Sequence, residues 1–279
     1  MSFWEWINVG IWPGLPRDGV ELIVLPSGPH KGRWLMLGGW NDTGEWINKY
    51  GRNTTNEILF SDDGGKSWAV LLPHEGDVNF RWKPSHYAPA VLHVVKKQQF
   101  IYLIADEYEQ HVWRSPVDSG GLMWERLTDP LTGQRFPCFW DNSKPDDQVS
   151  RSLHRAVSFN GWIYVLGGHR SDKVTPPSND LWKSRDGFSW QQVPLQFSKP
   201  EDSSLFIKRA AYGICVHQST SGEECLYVAC GGDYSLTQDK SRRIPECPDA
   251  FITDQPDRFA SGQHPCMIDK AYVNDVWRM

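Results

Sequence analysis

Four short stretches each place a chosen residue three positions after their first: RDGV (17–20), KPSH (83–86), RSLH (151–154) and RAAY (209–212). In register, Arg17, Lys83, Arg151 and Arg209 recur as one position, and Val20, His86, His154 and Tyr212 as the other. A guanidinium offers a planar fork that fits carboxylate or phosphate. Imidazole titrates near neutral pH, and a phenol acts as an acid where a cation lowers its pKa. Gathered around one point, these groups would hold a small anion beside acid–base machinery. The candidate catalytic residues are His86, His154, Tyr212 and Glu107, the last standing where other repeats carry Gly-Gly, since local rules often fail at functional sites. The candidate ligand-binding residues are the four cations with Trp40, Trp82 and His169. A structural alternative stays open. The cations can pair with acids just past neighbouring strands, namely Asp42, Asp106, Asp172 and Asp233, and the histidines and tryptophans can be core residues.

The elements that must position these groups repeat. SDDGGKSW (61–68) lies between the apolar runs EILF and WAVLL. Asp bonds its own backbone two residues on, and Gly supplies the positive φ of a tight turn, so the stretch reads as a hairpin turn rather than an active site. NDLWKSRDGFSW, near 184, repeats NEILFSDDGGKSW, near 56; HVWRSPVDSGGLMW is a looser copy and NDVWRM a truncated one. Upstream of each lies an apolar run (RWLMLGGW, FIYLIADE, WIYVLGGH, CLYVACGGD), starting roughly 60–70 residues apart, a period that signals propellers or solenoids.

Each repeat resolves into four strands, a to d. The third gives HRAVSF, WIYVLGG, DLWKS and SWQQV, while the fourth supplies only a, b and c. FWEWINV (3–9) has the character of a strand d and is available to pair with the final strand c. The expected fold is therefore all-β: one domain over 1–279, a closed four-bladed β-propeller whose N-terminal strand completes the last blade and leaves no edge. Its parts are the closing strand at 3–9, blades at 17–72, 83–128 and 151–194, and a fourth at 209–279 containing a long loop, 233–273.

RSLHRAVSFNGWIYVLGG followed by NDLWKSRDGFSW resembles the kelch repeat, and Ser61, Asp63, Gly65, Ser67 and Trp68 have the spacing of the Asp-box of sialidase-like propellers. The resemblance implies that the Asp-box turns lie on the face opposite any active site. It does not carry sialidase activity, because the arginine triad and Tyr/Glu pair of that family have no counterparts to assign here.

Composition narrows the function. Net charge is −5 with 15 tryptophans in 279 residues, so a general affinity for nucleic acid or anionic membrane is excluded, as either requires a basic surface. No run approaches the roughly 20 apolar residues of a membrane span. The N-terminus lacks the basic segment and apolar core of a secretory signal, so cytoplasm is the expected compartment. The six cysteines show no zinc-finger spacing; Cys215 and His217 share a strand face and read as packed core, and Cys247 and Cys266 share a loop that permits a bridge, though free thiols suit that compartment better. No metal and no nucleotide cofactor is implied, since no phosphate-binding glycine loop is present.

The links between blades carry the irregular length, roughly 16 residues after Gly39, about 24 before Arg151 and about 40 after Gly232. Function is expected on that face. The first reading is an enzyme of epimerase, lyase or cyclase type that acts on a small carboxylate-bearing molecule. The alternative is a kelch-like module that docks a protein partner or glycan on the long-loop face.

Overall fold

The computed structural model describes residues 7–12, 14–41, 43–76, 80–104, 111–127, 151–170, 178–200, 209–218, 222–232 and 276–279. Within them the chain is all-β apart from one short helix and one 3-10 turn. Three antiparallel sheets have four strands in simple sequence order. The first contains β1 (Glu21–Val24), β2 (Trp34–Leu37), β3 (Ile58–Ser61) and β4 (Ala69–Leu72). The second contains β5 (Ala90–Val95), β6 (Gln98–Ile104), β7 (Val112–Pro116) and β8 (Glu125–Leu127). A two-residue strand, β9 (Arg151–Ser152), precedes the third sheet and pairs with β12 (His169–Arg170). The third sheet itself is β10 (Arg155–Phe159), β11 (Trp162–Leu166), β13 (Leu181–Ser184) and β14 (Gln191–Val193). The fourth has three described strands, β15 (Gly213–Gln218), β16 (Glu224–Ala229) and β17 (Val276–Arg278).

The second strand of the second sheet is covered on both faces: β6 is buried without interruption from Phe100 to Ile104. Three apolar clusters join neighbouring sheets. Ile23, Leu35 and Ile58 of the first meet Ile101, Leu103 and Trp113 of the second. Similar clusters join the second sheet to the third and the third to the fourth. The first strands also pack side by side, β1 on β5, β5 on β10 and β10 on β15. On the face of β1 away from the second sheet, Leu22 and Val24 remain 47% and 43% exposed. Cys215 and His217 of β15, expected in the core, are exposed as well.

The Asp-rich stretch is a turn, as its sequence requires. Ser61 Oγ donates to Asp63 Oδ1 (2.8 Å), while the amide and hydroxyl of Ser67 donate to the two carboxylate oxygens (2.9 and 2.6 Å). These bonds, with Ser67 foremost, hold the Asp63 carboxyl down at about 2. Ser184 and Asp186 repeat the pattern in the third sheet. In three sheets the indole that follows donates to its own turn: Trp68 to Gly65, Trp124 to Gly121 and Trp190 to Gly187, at 3.0, 2.8 and 2.9 Å.

The helix α1 (Gly44–Tyr50) lies in the link after Gly39, which sequence reading leaves irregular. Gly51, at φ 71°, ends it and donates to Ile47 O. Of the expected closing strand, residues 3–6 lie outside the described residues, and 7–9 form no strand. Gly10 nevertheless presses on the turn before β4, where a Cβ would come within 2.7 Å of Gly65 O. The loop 233–273 lies outside the described residues.

Candidate functional site

Each first strand is entered through the same corner. Gly19, Tyr87, Leu153 and Ala211 all have left-handed φ, at 59°, 57°, 55° and 51°. The Tyr87 amide donates to Gly19 O (2.6 Å) and that of Ala211 to Leu153 O (3.1 Å), so the corners of adjacent sheets are tied by backbone. The residue two positions before the corner is Arg17, Ser85, Arg151 or Arg209. Lys83 therefore falls two residues ahead of the repeating position, and Ser85 occupies it. The aligned Lys-x-x-His stretch is out of register because the corner, not the cation, is what repeats.

The three arginines at this position are built into their own sheets. Arg151 donates to both oxygens of Asp180 at 2.8 Å and to Gly167 O at 2.5 Å. Burial alone would raise the Asp180 carboxyl, but the hydrogen bonds and charge of Arg151 outweigh it and hold it below the usual carboxylate range. Arg17 likewise donates to Glu57 (2.8 Å) and Gly38 O (3.3 Å), with its guanidinium 5.0 Å above the buried ring of Trp46 on α1. Arg209 donates to Cys230 O (2.9 Å). Each clamp thus joins the entry of a first strand to the end of the second, and in two cases to the start of the third. The acids are Glu57 and Asp180, immediately before the third strands, whereas Asp42, Asp106, Asp172 and Asp233 lie outside the described residues. The Gly-Gly pairs serve the same junction: a Cβ on Gly38 or Gly167 would meet Ser85 O at 2.8 Å or Arg209 O at 2.7 Å.

His154 and Tyr212 also belong to the frame. His154 is fully buried with no hydrogen-bond partner for either ring nitrogen among the described residues. Burial, with the charges of Arg151 and Arg155, pushes its pKa well below the ordinary value, so the ring is neutral. The Tyr212 hydroxyl donates to Leu166 O and accepts from the Arg155 amide (3.2 Å), and burial raises its pKa despite three nearby arginines. Both side chains are enclosed by protein, 0% and 3% exposed. Trp82 is core, packed edge-on against Trp124 at 4.7 Å, and His169 is buried on β12. Glu107 lies outside the described residues.

The sequence reading passed over the position four residues after each clamp, Glu21, Pro89, Arg155 and Gly213, two of which meet. Arg155 Nη1 lies 3.3 Å from Glu21 Oε1, joining the third sheet to the first. Its Nε donates to Tyr212 O (3.2 Å), and its guanidinium lies 5.9 Å from the ring of Tyr87. One side chain from the third sheet thus touches residues belonging to each of the other three. Burial raises Glu21 to about 7, although the Arg155 charge and the Ala90 amide oppose the shift. Both members keep about a quarter of their side-chain surface open, 25% and 23%, and meet through one contact longer than those of Arg151. Beside the pair, Tyr87 donates to Asp18 (3.1 Å), and half-buried His86 lies 5.0 Å from the Tyr87 ring and stacks on Trp40 at 6.3 Å. Of the residues expected at the site, then, His86 and Trp40 stand here, beside three the reading missed: Glu21, Tyr87 and Arg155. The signal was present in RDGVE, SHYAP, RSLHR and RAAYG once aligned on the corner.

Among the described residues no group of three or more His, Cys, Asp or Glu side chains could hold a metal, and no helix is long and apolar enough to cross a membrane. No protein-family model matches the chain, and no curated protein matches its sequence.

Proposed function

We propose that the chain forms a closed four-bladed propeller, of the kelch-like and Asp-box kind its repeats resemble, and is an enzyme acting on a small carboxylate-bearing molecule at the mouth of its channel. Four sheets in a repeated order and first strands packed side by side support the ring. The observation that carries the site is the Arg155–Glu21 pair, the point where contacts from all four sheets converge.

The pair is open and singly bonded, so a ligand carboxylate can take the Arg155 fork in place of Glu21. Glu21, near neutral in pKa, then accepts a proton from the ligand or returns one, as an epimerase, lyase or cyclase requires. Half-buried His86 stands beside the pair, and Trp40 and Tyr87 provide aromatic walls. Arg155 replaces the four aligned cations as the anion anchor.

A thermal-shift screen against sugar acids, keto acids and amino acids tests this reading. At 100 times its dissociation constant, a ligand should stabilise the protein by about 2.7 kcal/mol. The effect should vanish in Arg155→Ala, while Glu21→Gln should still bind but not turn over. Turnover should rise with pH through about 7, as Glu21 loses its proton. A panel without any hit, or a hit indifferent to Arg155→Ala, would refute the site and favour protein docking on the long links.

A further inference from the structure

Arg155 reaches from the third sheet to the first by way of the fourth. Its Nε donates to Tyr212 O at 3.2 Å, and its Nη1 lies 3.3 Å from Glu21 Oε1. A group that takes the guanidinium fork therefore has Glu21 on one side and the entry of β15 on the other. The residue opening β15 is Gly213, the counterpart of Glu21 and Arg155 in the fourth sheet.

The backbone does not require a glycine at this place. Gly213 lacks the left-handed φ that Gly19, Gly167 and Gly231 adopt. A Cβ on Gly167 or Gly231 would come within 2.7 Å of a neighbour. On Gly213 it would meet only Ala229 O among the described residues, at 3.8 Å, an ordinary contact. Glycine inside a strand forgoes packing and costs entropy, and it often marks a spot that a ligand approaches closely. Alternation gives the direction of the space. Tyr212 and Ile214 pack on the cluster shared with the third sheet. Gly213 therefore turns to the opposite face, where it is exposed together with Cys215 and His217. The room above it is open, and the core has no claim on it.

We propose that Gly213 is the specificity-determining residue of the Arg155–Glu21 site. The space it leaves receives the substituent of an acid whose carboxylate sits on the Arg155 fork. The substrate class is then an acid with a bulky group on the carbon next to its carboxylate, rather than a bare short-chain acid. A group on that carbon stays close to the fork, and the bond from Nε to Tyr212 O shows how close the β15 entry is. This inference rests on the reading of the pair as an acid-binding site and deepens it.

The test uses the full chain carrying Gly213→Ala or Gly213→Leu. Gly213→Ala should keep or raise Tm, because the backbone there suits any residue. A clear fall in Tm would make the glycine structural and overturn the assignment. Access to the fork is read without a ligand, by arginine-directed reagents of two sizes followed by peptide mass spectrometry. Methylglyoxal and phenylglyoxal should both modify Arg155 in the wild-type protein. In Gly213→Leu the phenylglyoxal reaction should fall about tenfold while the methylglyoxal reaction persists. Among the acids of the thermal-shift panel, those with a large group on the neighbouring carbon should bind Gly213→Leu about tenfold more weakly, and short acids such as glycolate should bind as before. Phenylglyoxal labelling of Arg155 that is absent from the wild type or indifferent to residue 213 would overturn the role of Gly213 and leave the acid site standing. Equal weakening of large and short acids would do the same. A panel without any hit would overturn the acid site itself, and this assignment with it.

Discussion

Arg151 has two readings in the sequence, an anion receptor and a structural ion pair; folded, its fork is filled by Asp180 and Gly167 O. Removing it would leave a buried carboxylate without its partner, so Arg151→Ala should destabilise the protein by roughly 3–5 kcal/mol, whereas Arg151→Met with Asp180→Leu should recover much of that, as denaturant titration will show. Glu21 makes the opposite case. Its folded pKa, about 7, lies above its ordinary 4.5, so the folded state holds the proton more tightly. The stability this contributes is present below about 4.5 and is lost as pH rises through about 7. The loss should be roughly 3 kcal/mol over that window, and Glu21→Gln should abolish it in a comparison of unfolding curves at several pH values. Residue types and repetition were visible in the sequence; that the contact between sheets would fall four residues after the clamp was not. That depended on a left-handed corner occupied by Gly, Tyr, Leu and Ala, residues with no common chemical signature.

At the scale of elements the sequence was far more legible, because strands and turns are local. Alternation and apolar runs placed the strands of the four sheets but not the two-residue β9 and β12, and Ser-x-Asp-x-Gly-x-Ser-Trp named its turn through bonds that span at most four residues. Asp63→Ala should therefore loosen one hairpin without disturbing the others. Faster hydrogen exchange at the Ser67 amide, with unchanged exchange at Ser189, would show it. The helix α1 escaped notice since GEWINKY is short and is held by Trp46, whose buried ring lies beneath Arg17, more than by helical propensity. Its stop signal, Gly51, was nonetheless in the sequence.

For the molecule as a whole, closure of the proposed ring would bring the first sheet against the fourth. Leu22 and Val24 present an apolar face there, and β15 presents Cys215 and His217. If the ring closes as proposed, Leu22→Asp with Val24→Asp should lower Tm by several degrees, since burying unpaired charge is costly; an unchanged Tm would mean that these faces stay apart. The sequence could suggest closure through a repeated strand pattern, but not how tightly the seam packs, which depends on residues more than 190 positions apart in the chain. The corner that begins each inner strand has a last consequence. Gly19 O and Leu153 O receive their bonds from backbone amides, so the first sheet is tied to the second, and the third to the fourth, without the help of the side chains at 21 and 155. Exchanging Glu21 and Arg155 would reverse the polarity of their contact while leaving those backbone ties in place.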